Sequence, residues 1–206
     1  MAVRRRLLVA LALAGLVAGA LGACSEADGR ALPPADPQLT TTSTSTVPSL
    51  QPGTGDRGVF TLRSSGFGDG TTMPEELTCT GAGVSPDLSW TDTPADAETL
   101  AVVVRDRNAG AFVHWIVTGI DPSVQGIGEG GVPEGAVEGP NDAGTVGWLA
   151  PCPPAGSGTH TYEVALLALP GVVAIPPDAN GQQAAALIEA SASERAVLTG
   201  TVTAGG

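Results

Sequence analysis

Beyond residue 57 the chain is a succession of short apolar runs separated by turn residues, a pattern of strands more than of helices. Val59-Phe60-Thr61-Leu62 opens the series, and Leu88-Ser89-Trp90 follows a Ser85-Pro86 turn. Residues 99–104 and 111–117 read as two central strands, and Arg107-Asn108-Ala109-Gly110 between them is short enough for a hairpin. Residues 161–169 form another strand, and 196–203 alternate as a last one. Between residues 126 and 147 Gly, Pro and Asn-Asp dominate, which predicts a long irregular excursion. The one helical signal covers about residues 182–193, Ala-rich, with a polar lead-in able to cap it and apolar positions that can pack one stripe onto a sheet. These elements predict a mainly β fold, a two-sheet Greek-key-like β-sandwich with a helix near the C-terminus.

The first 56 residues are patterned differently. Arg4-Arg5-Arg6 precedes an apolar stretch, residues 7–21, that is short for a bilayer span and reads as a secretory leader. It ends in Leu21-Gly22-Ala23-Cys24, which resembles the lipobox of bacterial lipoproteins, where the cysteine is acylated and becomes the first mature residue. The alternative is a plain signal peptide cut after Ala23 that leaves Cys24 a free thiol. A diacylglycerol-modified Cys24 would anchor the chain, placing it on the extracytoplasmic face of the cell membrane. The arginine run fits Sec or twin-arginine export alike. Residues 24–56 carry Pro33-Pro34, Pro37 and a Ser/Thr run at 40–46 with almost no apolar periodicity. Such a segment reads as a disordered tether, and residues 57–206 as a single domain.

Charge and cysteine usage narrow the function. Loss of Arg4, Arg5 and Arg6 with the leader takes the formal net charge from −12 to about −15, and the chain has no lysine. So acidic a protein is a poor match for nucleic acid, and any anion it binds must be captured by local donors in a pocket. With Cys24 consumed by lipid, Cys79 and Cys152 remain as an even pair in an oxidising compartment. That arithmetic predicts a Cys79–Cys152 disulfide; two buried free thiols are the alternative.

Both histidines of the chain sit beside Gly/Pro-rich turns: His114 in Phe112-Val113-His114-Trp115, and His160 just after Pro151-Cys152-Pro153-Pro154-Ala155-Gly156. His160 and Tyr162, two apart on a strand, share a face and can line one pocket wall. Their tips donate hydrogen bonds, which suits a small anionic or polar ligand. Spacing alone equally allows two ordinary half-buried strand histidines.

The order of motifs resembles the phosphatidylethanolamine-binding protein family in its bacterial Raf-kinase-inhibitor-like branch. Phe67-Gly68-Asp69-Gly70, Met73-Pro74 and Leu77-Thr78-Cys79-Thr80-Gly81 look like the family's opening loop. Ser85-Pro86-Asp87-Leu88-Ser89-Trp90, the His114-Trp115 strand, Gly139-Pro140-Asn141-Asp142, Gly147-Trp148, Pro151-Cys152-Pro153-Pro154 and His160-Thr161-Tyr162 then follow in the family's order. The resemblance implies a small anion pocket at one end of the sandwich, lined by Asp106, His114, His160 and Tyr162, with the turn at Pro151 as a wall. Asp106 would orient a histidine or a ligand ammonium, and binding would strengthen toward acid as the imidazoles gain protons. The chain departs from the family's Asp-Pro-Asp-Ala-Pro, having Asp106-Arg107-Asn108-Ala109-Gly110, which predicts a less rigid loop. Ala150 and Trp148 replace the usual glycine and tyrosine. Arg105 and Arg107 would add positive charge to the pocket or face solvent.

The function expected is therefore a non-catalytic, membrane-tethered binding protein for a phosphate or phospho-headgroup. Inhibition or regulation of an extracytoplasmic protease or other hydrolase, by an unnamed protein contact, is the alternative. No catalytic residue is assigned, since no serine lies in a nucleophile-elbow pattern and Cys152 reads as a structural thiol. No cofactor is expected, and His114, His160 and Asp106 lack compact metal-ligand spacing.

Overall fold

Thr99–Asp106 (β4) and Phe112–Ile120 (β5) form the expected hairpin, and Thr159–Leu169 (β8) returns to lie antiparallel against the other side of β4. The computed structural model describes residues 58–205; the leader, Cys24 and the tether expected at 24–56 lie outside them. The remaining strands, in chain order, are Thr61–Arg63 (β1), Thr71–Thr72 (β2), Leu88–Thr91 (β3), Gly126–Ile127 (β6), Val137–Glu138 (β7) and Glu194–Thr203 (β9). Six strands form one sheet in the order β2-β9-β8-β4-β5-β7, and three form a second in the order β1-β3-β6. The architecture is mainly β with two sheets, as the alternation predicts. The excursion at 126–147 is less irregular than expected, because it carries β6 and β7. Each has only two residues, too few to leave a period in the sequence.

The central strands are apolar throughout because both faces of the large sheet are covered. Leu100, Val102 and Val104 of β4, with Val164, Leu166 and Ala168 of β8, pack against Trp90, Leu62 and Leu88 of the small sheet. Ala101 and Val103, with Ala165, Leu167 and Leu169, face the other way, onto the helix Gly181–Ser191 (α1). Asn180 caps α1: its side chain accepts from the Gln183 amide, and the Gln183 side chain reaches back to the Asn180 amide. Ala184, Ala185 and Ile188 bury the apolar stripe, with Ile188 contributing roughly 1.5–3 kcal/mol by its removal from water.

This parity fixes what stands at the sheet's end. Asp106 continues the Leu100-Val102-Val104 face, and Tyr162 and His160 continue the Ala168-Leu166-Val164 face, so all three project toward the same side. Arg105 has the opposite parity. It lies under α1, paired with Glu189, and neither serves the pocket nor faces solvent.

Candidate functional site

His114 reaches that side by an interruption of the ladder. Val104 pairs with Trp115 but Arg105 pairs with Val113, so His114 is the extra residue of a bulge in β5. Bulges re-aim side chains, and this one leaves His114 edge-on to Tyr162, with ring centroids 5.2 Å apart. The backbone groups the bulge releases are taken up elsewhere. The Val113 amide donates to Asp142 Oδ2 at 2.7 Å, and the Asp142 amide donates to the Val113 carbonyl at 3.0 Å. Asp142 Oδ1 also accepts the Gln182 amide of α1. Asn141, buried beside it, donates to Thr145 Oγ1 and the Gly147 carbonyl and so shapes the loop that delivers Asp142.

His114 and Leu149 then bond twice. The Leu149 amide donates to the His114 carbonyl at 2.9 Å, and His114 Nδ1 donates to the Leu149 carbonyl at 2.8 Å. On the neighbouring strand, His160 Nδ1 lies 2.6 Å from Asp106 Oδ2, and both side chains are buried. Asp106 Oδ1 accepts the Asn108 amide at 2.8 Å, while Asn108 Oδ1 accepts the Thr161 amide at 2.8 Å. The Arg107 amide donates to the Thr161 carbonyl. Asn108 and Arg107 thus tie the 107–111 loop to the strand between His160 and Tyr162, restraint that the missing prolines do not supply. Ala111 completes the loop with φ of 60°, a left-handed conformation that costs a non-glycine residue about 1–2 kcal/mol.

These residues surround a cavity of about 230 Å³. Its polar floor is Asp106, His114, His160 and Tyr162, and its walls are Ala109, Phe112, Leu149, Ala150, Cys152 and Pro154. Pro151 is buried next to this wall without lining it; its carbonyl accepts the Cys79 amide at 3.0 Å. Cys79 and Cys152 form the expected disulfide, with Cα atoms 5.4 Å apart, which pins the proline turn to the segment after the short turn Glu75–Leu77. A larger groove of about 530 Å³ runs along α1 between Pro176, Ala179 and Leu187, but it contains neither histidine. The smaller cavity is the better candidate because its polar groups converge.

Electrostatics at the floor is set by burial. Desolvation holds His114 below the ordinary imidazole value, outweighing its bond to Leu149 and the charges of Asp106 and Asp142, which favour the protonated ring. Desolvation, then the adjacent Asp106 charge, pushes Tyr162 well above the usual phenol value, so its hydroxyl keeps its proton. Asp106 is the one carboxyl group among the lining residues, and no arginine is among them. Arg107 is half exposed and lies near Glu163 instead.

The pocket joins Asp106, His114, His160 and Tyr162 as the sequence expects. The roles of Asn108, Phe112, Asn141, Asp142 and Leu149 were not foreseen. The Gly139-Pro140-Asn141-Asp142 motif was a visible signal for two of them, but only the bulge reveals its use.

The fold is a two-sheet, mainly β one that gathers two imidazoles, a carboxyl group and a phenol at one end of its large sheet. The chain belongs to the phosphatidylethanolamine-binding protein family, whose model matches residues 63–203. It is 43% identical over 197 residues to a Mycobacterium tuberculosis protein named Putative lipoprotein LppC, covering 93% of this chain and 94% of that one. A UPF0098 protein of Methanothermobacter thermautotrophicus is 36% identical over 146 residues, 68% of this chain and 95% of its own. The crystal structure of Escherichia coli YbcL, described as a member of the mammalian PEBP family, superposes with a TM-score of 0.64 at 29% identity. It covers 70% of this chain and 98% of YbcL.

Proposed function

We propose that the protein is a membrane-tethered, non-catalytic binding protein whose end pocket holds a small oxyanion, the phosphoryl group of a headgroup or a free phosphate. The observation that carries this reading is the convergence of His114, His160 and Tyr162 on one small cavity, each with its orientation fixed by a protein partner or by burial. Such preorganisation reduces the ordering cost of binding. Tethering is supported by the lipobox at Cys24 and by the name of the mycobacterial relative, which matches over 93% of the chain. A binding role is favoured over hydrolysis because the cysteine that lines the cavity is held in a disulfide and, among the described residues, no serine or threonine lines it.

Isothermal titration of the exported protein with inorganic phosphate and with phosphoethanolamine tests the reading. Saturable heat of binding is expected, and His160→Ala is expected to weaken it by roughly 10- to 150-fold, the loss of one charge-assisted hydrogen bond. Unchanged affinity in the variant would place the anion elsewhere.

A further inference from the structure

We infer that the pocket selects an oxyanion that carries its own proton, such as the monoanion of phosphate or of a phosphomonoester, which donates its O–H to Nε2 of His114. This inference rests on the oxyanion-binding reading above. The Leu149 carbonyl, 2.8 Å from His114 Nδ1, can only accept, so that ring nitrogen carries the hydrogen. In the neutral ring Nε2 is then a lone pair. It has no partner among the described residues, yet it is not sealed from solvent, and the ring lines the cavity. A flipped ring would set a C–H against the Leu149 carbonyl. Phe112 and Tyr162, each with its ring centroid 5.2 Å from that of His114, flank the imidazole.

The groups that act on this ring come from every element around it. Asp106 on β4 and Asp142 on the loop beside β5 favour a second proton, while His160 on β8 and burial oppose it, and burial prevails. Tyr162 on β8 stays protonated and neutral. His160 has Nδ1 engaged by Asp106, so Nε2 is the ring atom left to meet a ligand. The floor therefore offers an acceptor at His114 Nε2, and neither arginine nor lysine is among its lining residues. A ligand with both an O–H and anionic oxygens satisfies it. A phosphodiester has no proton to give, and its oxygens would meet lone pairs unless the ring first took a proton from water.

Three probes of equal charge separate these cases. The lipidated full chain in detergent is titrated with inorganic phosphate, methyl phosphate and dimethyl phosphate near pH 6.5, in buffers of different ionisation heat. Expressed per monoanion, phosphate and methyl phosphate are expected to bind at least about tenfold more tightly than dimethyl phosphate, the effect of one hydrogen bond. Dimethyl phosphate should bind with uptake of about one proton per complex. Its affinity should fall about tenfold per unit as pH rises, whereas the monoesters need no uptake by the protein once corrected for their own ionisation. Equal affinities for methyl and dimethyl phosphate, or dimethyl phosphate bound without proton uptake, would overturn the inference and leave the oxyanion reading standing. Methyl phosphate as weak as dimethyl phosphate, with phosphate alone tight, would assign the selection to size and overturn it too. If no probe binds between pH 5 and 8, the oxyanion reading falls and takes the inference with it.

Discussion

Asp106 Oδ2 and His160 Nδ1 lie 2.6 Å apart on neighbouring strands, and neither side chain is exposed to bulk water. The pair couples binding to folding. His160→Ala leaves a buried carboxylate without one of its partners, so a stability loss of about 1–3 kcal/mol is expected besides the loss of ligand affinity. Urea unfolding of the variant checks this. An unchanged midpoint would mean that water entering the cavity serves Asp106 as well as the imidazole does.

The Cys79–Cys152 bridge closes a loop with a sequence separation of 73 residues. Replacing both cysteines by serine is expected to cost about 4 kcal/mol through the freed unfolded chain, lowering Tm by roughly 10 °C. Because Cys152 lines the cavity, the same variant should also bind phosphate more weakly. Calorimetry and titration of that one protein read both effects. A Tm within a degree or two of wild type would show that the bridge adds little.

Burial of His114 has a pH signature. Its folded value lies below the ordinary 6.5. As pH falls below about 6.5 the unfolded chain takes up a proton that the folded ring refuses, so the unfolded state gains. This contribution to stability is full above that value, declines with falling pH down to the depressed folded value, and is constant below it. The slope from this one group is at most about 1.4 kcal/mol per pH unit. Urea unfolding between pH 4 and 7.5, for wild type and His114→Gln, should give curves whose separation changes across this window. A constant separation would contradict it.

Gly81 has no room for a side chain. A Cβ there would stand 2.2 Å from the Glu75 carbonyl oxygen, a backbone atom that no rotamer can move. Gly81→Ala is expected to destabilise by about 3 kcal/mol and to loosen the segment holding Cys79. Thermal unfolding measures it.

Parity explains how much was legible in advance. The apolar runs at 99–104 and 161–169 marked the two-sided core, and spacing alone placed His160 and Tyr162 on one face. His114 stood out as one of the chain's two histidines, but only the order of family motifs joined it and Asp106 to that face. The bulge that turns His114 toward Tyr162 depends on Asp142 and Leu149, 28 and 35 residues away in sequence, and no local pattern encodes it. The short strands β6 and β7 were hidden for a different reason, since two-residue pairings have no period to read. Arg105 misled because a strand's alternation was not carried through to its last turnward residues; it belongs to the helix side, with Glu189.

Cys24, which closes the lipobox-like Leu21-Gly22-Ala23-Cys24, tests the proposed tether independently of the pocket. Cys24→Ala is expected to release the protein from membranes or to stall its processing, read by fractionation and intact mass. Normal maturation with unchanged membrane retention would count against lipid anchoring.

The most direct test of the pocket is nitrogen-15 NMR of the two imidazoles during titration with millimolar phosphate. The account predicts that the Nε2 resonances of both His114 and His160 move and saturate together, while their Nδ1 resonances, held by Leu149 and Asp106, change little. If phosphate leaves both Nε2 resonances in place, the convergence of these side chains is structural and the pocket holds no oxyanion.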